Sequence, residues 1–312
     1  MVPSKPLDVV CLGILVVDVI ARPVDGLPAR GTLELVDEIS MRGGGSALNT
    51  ASALARLGLR AGVAGKVGAD PFGEFLLGLI HERGIDGRCV LVDRAVSTSA
   101  TVALVDGEGE RTFLHLTGAN AHLRREELDR ELLLSGRALH LAGALVLDQL
   151  DGEPAAEILA DAQRRSIQTS LDTIFASGRW ERVLPLLPYV DLFTPGLHEA
   201  QAITGEEDPA EAASWLRNRG VNEVVVTLGP AGCYAAAPDF EGSVAPPPVD
   251  VVDGTGSGDA FAAGLIYAKL AGWPFERGVR FANAAGALAT TAVGASEGVR
   301  GLEETLALAG LA

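Results

Sequence analysis

Between Val251 and Tyr267 the chain reads VVDGTGSGDAFAAGLIY. Gly254, Gly256 and Gly258 stand directly before an apolar, small-residue helical pattern, and Asp259 stands at its start. Glycines let the backbone turn tightly and let its N–H groups approach a ligand. A helix N-terminus adds unpaired N–H donors and the positive end of a dipole, which favour an anion such as phosphate. The N–H groups of Gly256, Ser257 and Gly258 would form such an anion hole. A carboxylate beside a bound phosphate weakens binding, so Asp259 is better explained by chemistry. It can accept the proton of an attacking hydroxyl and aim that oxygen at a phosphoryl group. The competing reading is structural, because aspartate is a common helix N-cap and glycine-rich turns often precede helices. The chain has no GxxxxGK[ST], which excludes a P-loop nucleotide site.

The elements that must position these residues follow from the pattern. Asp8 to Asp18 is a β-branched apolar run suited to a buried strand, and Asp18 ends it. In parallel α/β sheets, strand ends collect ligand-binding residues. Gly31 to Arg42 reads as exposed strand, Asn49 to Leu57 as helix, Arg60 to Val67 as strand and Asp70 to Arg83 as an amphipathic helix. Thr98 to Val105 and Arg111 to Leu116 are β-rich, and Asp106 to Glu110 (DGEGE) between them is a hairpin signal. Strands are then expected at Ala138 to Leu147, Gln168 to Leu171, Val190 to Phe193 and Val224 to Leu228. Helices are expected at Glu153 to Arg165, Pro209 to Arg219, Asp259 to Ala271 and Phe275 to Thr291, and a loop over Ala236 to Asp250. This alternation predicts an α/β fold: one mostly parallel central sheet with helices on both faces, in a single domain over residues 1–312.

Composition narrows the partners. The 312 residues are 48% hydrophobic, enough for a sizeable core, and carry a formal net charge of −16. That sign argues against a nucleic-acid backbone or an anionic membrane as main partner. Cys11, Cys89 and Cys233 are far apart and follow no metal-ligand spacing, so reduced thiols in a cytoplasmic protein are expected. The N-terminus lacks a signal-peptide pattern, and no apolar run is long enough to span a bilayer.

Asp253 to Asp259 (DGTGSGD) resembles the DTxGxGD signature of the ribokinase-like (PfkB) sugar kinases. Gly43 to Ala51 (GGGSALNTA) resembles the same family's GGxxxNxA element, about 200 residues earlier. The two stand in the family's order, and the resemblance covers essentially the whole chain. It implies an ATP-dependent kinase for a hydroxymethyl group, with Asp259 as base, Mg²⁺ arriving with the nucleotide, and a small β-lid formed by about 15–41 and 97–117. In some relatives this lid makes a dimer interface, which here would mean a homodimer.

On the acceptor side, Asp18 resembles the family's sugar-binding aspartate; a carboxylate suits two vicinal hydroxyls. Gly44 and Gly45 let N–H groups approach the acceptor. Asn49 offers a donor and an acceptor to hydroxyls, or else caps a helix. Arg111 is a further acceptor-side candidate, facing a carboxylate or phosphate; Asn120 and His115 are weaker ones. On the nucleotide side the resemblance implies Thr227, Gly229 and Gly232 (VVVTLGPAG) and Asn283 (FANAAGA). Thr194 to Ala200 resembles the NxxEA element that organises Mg²⁺ and phosphate. Glu199 is kept, but Gly196 stands where the family has Asn. Asp253 and Thr255 match a monovalent-cation site, potassium in several relatives, with carbonyls from Ala289 to Gly298.

Two rivals stay open at this point. One is a nucleoside kinase, whose base would need an apolar slot such as Phe113 and Leu116. The other is a non-catalytic sugar- or nucleotide-sensing protein on the same fold. An acceptor already carrying phosphate would need cations, for which Arg42 and Arg111 are the evident residues.

Overall fold

The structure is a computed structural model that describes residues 6–174 and 178–312. The apolar run near the N-terminus is not one strand. Val9–Gly13 (β1) lies in the central sheet, and after Ile14 and Leu15 the chain enters a second sheet as Val16–Arg22 (β2). Asp18 is therefore the third residue of a lid strand, not the end of a central one. The crossover is possible because β1 ends on glycine: a Cβ on Gly13 would lie 1.9 Å from the Ala142 carbonyl oxygen.

The remaining strands are Glu38–Gly44 (β3), Ala61–Gly68 (β4), Asp86–Asp93 (β5), Ala100–Val105 (β6), Arg111–Leu116 (β7), Ala138–Ala144 (β8), Gln168–Thr173 (β9), Leu192–Phe193 (β10), Glu223–Thr227 (β11), Cys233–Ala237 (β12) and Phe240–Val244 (β13). Nine form the central sheet in the order β13-β12-β11-β10-β9-β8-β1-β4-β5. All its pairs are parallel except β11–β12 and β12–β13 at one edge. Both faces are covered. Val10 and Leu12 join one apolar core, while Val9 and Cys11 join the other. Burial on two sides explains the unbroken apolar runs. The cysteines are free and buried.

Two expectations are corrected, and one strand lies outside the expected set. That edge strand, β5, has only the short apolar run Cys89-Val90-Leu91-Val92 after Asp86-Gly87-Arg88 and stays half-buried. The expected loop from Ala236 contains most of the β12–β13 hairpin, turned by Pro238-Asp239. The exposed strand expected from Gly31 begins only at Glu38, leaving Leu33 and Leu35 in irregular, exposed chain.

The second sheet has the order β3-β2-β6-β7. Its β6–β7 hairpin turns where DGEGE predicts: Asp106 Oδ1 accepts the N–H groups of Glu108 and Glu110, both at 2.9 Å. Strand alternation gives the sheet two faces. Asp18, Arg42, Thr101, Arg111, Phe113 and His115 face a cavity. Ile39, Met41, Val102, Leu114 and Leu116 alternate with them and point away, all exposed. Leu116 is thus removed from the slot suggested for a nucleoside base, while Phe113 stays in it.

Candidate active site

The cavity, about 620 Å³, lies between the second sheet and the end of the central sheet. Its floor is the N-terminal turn of the Ser257–Leu270 helix, docked against Phe275–Ala289 through Gly264, whose absent Cβ would sit 2.7 Å from Ala282 Cα. Gly256 enters that helix in the left-handed region (φ 74°), and a Cβ there would meet the Ala295 carbonyl oxygen at 2.3 Å. The turn therefore requires glycine. The Ser257 N–H donates to Gly254 O at 3.3 Å, whereas those of Gly256 and Gly258 have no acceptor among the described residues. Two of the three expected anion-hole donors are therefore open, and the third is engaged in the turn.

Asp259 sits in the helix's first turn, open to solvent through the cavity and crowded by protein on its other sides. The Asn49 amide donates to its Oδ2 at 2.8 Å. Burial raises its pKa above the ordinary carboxylate value; hydrogen bonds from Asn49 and Ser46 oppose this, and the nearby Glu199 charge adds to it. Asp172, in β9, is raised well above its ordinary value by burial, then by the charges of Asp259 and Glu199. Among the described residues, none of these three carboxylates has an arginine or lysine partner in an ion pair. Nor do three such side chains stand close enough among the described residues to cage a metal directly. Neighbouring carboxylates without a cationic side-chain partner suit a cation that arrives already bound to phosphate.

Of the other residues expected on the acceptor side, Asp18, Gly45, Asn49 and Arg111 line the cavity, whereas Gly44 does not and its neighbour Gly43 does. Gly44 and Gly45 link β3 to the Ser46–Arg56 helix. Asp18 lies over Gly44, where a Cβ would stand 2.4 Å from its Oδ2. Burial raises the Asp18 pKa, against the effects of Thr101 and His115. Asn49 is buried, and its Oδ1 has no partner. Asn120 is a structural clamp: its side chain accepts from Leu15 N–H (3.1 Å) and donates to Leu15 O (2.9 Å), fixing the β1–β2 crossover.

Arg111 also lines the cavity, but it is engaged. Its guanidinium donates to Asp253 Oδ1 at 2.7 Å and to Thr255 Oγ1 at 2.6 Å. The same Oδ1 accepts Thr255 N–H and Oγ–H, and Oδ2 accepts Gly294 N–H at 3.2 Å. Burial alone would raise the Asp253 pKa; Arg111 and the other donors outweigh it and hold it at about 2. A monovalent cation at Asp253 would compete with a guanidinium already in place.

The residues expected on the nucleotide side lie beyond the cavity, around the ends of β9 and β11. Thr227 ends β11, and its N–H donates to Pro195 O at 2.9 Å beside Gly196. Glu199 Oε2 accepts Gly196 N–H (2.8 Å) and Thr173 Oγ–H (3.1 Å). Burial raises its pKa, opposed by those two bonds and by His198. Gly229 and Gly232 turn the chain from β11 into β12 with φ of 58° and 90°. Asn283 is buried and donates to Val244 O at 3.1 Å, which ties β13 to its helix. Asp172, Ser46 and Thr101 were missed from the sequence. Only Asp172 carried a usable signal, a carboxylate near a parallel strand's end.

The model of the pfkB family carbohydrate kinases matches residues 6–300. A fructokinase of Klebsiella pneumoniae is 31% identical over 266 residues, covering 81% of this chain and 87% of that protein. A 2-dehydro-3-deoxygluconokinase of Bacillus subtilis is 30% identical over 285 residues, covering 86% and 87%. In fold, the chain superimposes on Arabidopsis thaliana ribokinase complexed with ribose and ATP with a TM-score of 0.85 at 22% identity, covering 98% and 99%. With a family model matched over nearly the whole chain and relatives at 30% and 31% identity, this chain is a carbohydrate kinase and belongs to the PfkB family.

Proposed function

We propose that the chain transfers the γ-phosphoryl group of ATP to a hydroxymethyl group of a small sugar-like acceptor. The observation that carries this reading is Asp259 at the cavity floor, one residue from an open Gly258 N–H in the same helical turn. Asp18 and Asn49 orient the acceptor. Asp259, held by Asn49, takes the proton from the attacking hydroxyl. The N–H groups of Gly256 and Gly258 stabilise the charge on the group in transfer. Thr227, Gly229 and Gly232 line the nucleotide's side, and Asn283 holds its wall through Val244. Mg²⁺, brought by the nucleotide, neutralises the phosphates near Glu199.

Asp259→Asn keeps the shape and removes the base. Turnover should fall about 10²- to 10⁴-fold while nucleotide binding is kept. Near-normal turnover would sink the assignment. The nucleoside alternative has only Phe113 as an aromatic wall, and a sensor would have no need of a base at this place. The lid's apolar outer face supports a homodimer through the lid. The described residues include no helix long and apolar enough to cross a membrane, and a cytoplasmic place is our reading of the reduced thiols.

A further inference from the structure

The cavity holds a cation that the phosphoryl-transfer reading leaves unused. Arg42, in β3, is the cross-strand neighbour of Asp18 in β2, and both line the cavity. Cross-strand opposite charges commonly pair; these two do not. Arg42 makes no ion pair or hydrogen bond among the described residues, and its Nε is buried without an acceptor. The other two arginines of the cavity are committed, Arg22 to Glu38 and Arg111 to Asp253. Glu297, which approaches the same glycine as Arg42 does, is held by Arg56 and Arg83. Arg42 instead reaches toward Gly294, with Nη1 3.7 Å from where a Cβ would stand. A buried donor without a partner is costly, and a guanidinium is hydrogen-bonded best by a planar oxyanion.

We infer that the acceptor is a sugar acid, whose carboxylate binds Arg42 while its hydroxyls bind Asp18. This rests on the kinase reading and names its substrate class. A carboxylate fits better than a phosphate, because one free guanidinium balances one negative charge and the other cavity arginines are taken. With Asp18 and Asp259 nearby, a dianion would lack a second cation.

The test measures ATP consumption with matched acceptors: an aldose or polyol, its carboxylated counterpart and its phosphate ester. Direct binding of each acceptor is measured by calorimetry. The acid should bind best. Arg42→Gln should raise its KM about 10- to 100-fold, the worth of one charge-assisted hydrogen bond, while KM for ATP stays put. Arg42→Lys should restore part of the preference, which separates charge from packing. A neutral acceptor favoured with its KM unmoved in Arg42→Gln would overturn the inference and leave the kinase reading standing. So would a preference for the phosphate ester. A rise in KM for ATP with every acceptor would also overturn it, placing the guanidinium on the nucleotide. If no acceptor is phosphorylated, the kinase reading fails on its own; calorimetry still decides whether the acid outbinds its neutral counterpart through Arg42.

Discussion

At the scale of the residue, the site depends on the charge state of Asp259. A base must be unprotonated to accept a proton. Its burial makes ionisation harder, so kcat/KM should rise with pH through about 6 and then level off. A pH–rate profile checks this, and an acid limb near the ordinary aspartate value of about 4 would contradict it. Arg111 and Asp253 give a second residue-scale expectation. Their ion pair already places a positive charge where the family resemblance puts a monovalent cation. Turnover should therefore be the same in potassium as in tetramethylammonium at equal ionic strength. Strong potassium activation would show that the guanidinium gives way.

At the scale of the element, the site is positioned by close approaches that only glycine permits. The turn from β11 into β12 brings Gly232 against Val244, with φ of 90° and room for no Cβ, which would sit 2.2 Å from the Val244 carbonyl oxygen. Gly232→Ala should cost about 1–3 kcal/mol from backbone strain, and more from the clash. Chemical denaturation measures the loss, and unchanged stability would mean the turn can relax. The β6–β7 hairpin contributes differently. It carries Arg111 across to the Asp253 loop, so one ion pair joins the lid to the glycine-rich loop.

At the scale of the whole molecule, the lid's outer face is covered where Val17 and Val19 meet the core and is left open beyond them. The inner face looks into the cavity, and the outer face exposes Ile39, Met41, Leu114 and Leu116. Contiguous apolar surface of this kind marks an association site, and a second copy of the chain is the partner we propose. Replacing Ile39 and Leu114 together with Glu should leave a monomer by light scattering, where the unaltered chain is a dimer. A monomeric unaltered chain would remove the proposal.

The sequence alone determined the family and the alternation of strands and helices, and it singled out Asp259 as the candidate base. Those properties are written in local pattern: two glycine-rich signatures, and apolar runs whose length suits strands buried on both faces. Gly45, Asn49 and Asp259 also lie inside those signatures, so their meeting at the cavity was legible. Tertiary structure decided what depends on partners distant in the chain. Asp18 was placed at the end of a central strand until the break after Gly13 moved it into the lid. Arg111 was expected to meet a ligand, but Asp253, 142 residues away, takes its charge. The bond from Asn283 to Val244, 39 residues away, also had no local signal. Asp172 joins Glu199 and Asp259 only because parallel strands bring their ends together. A hydrogen bond or ion pair between distant residues leaves no local trace in the sequence, so only the folded chain shows which polar groups are already satisfied and which, like Arg42 Nε, have no partner among the described residues.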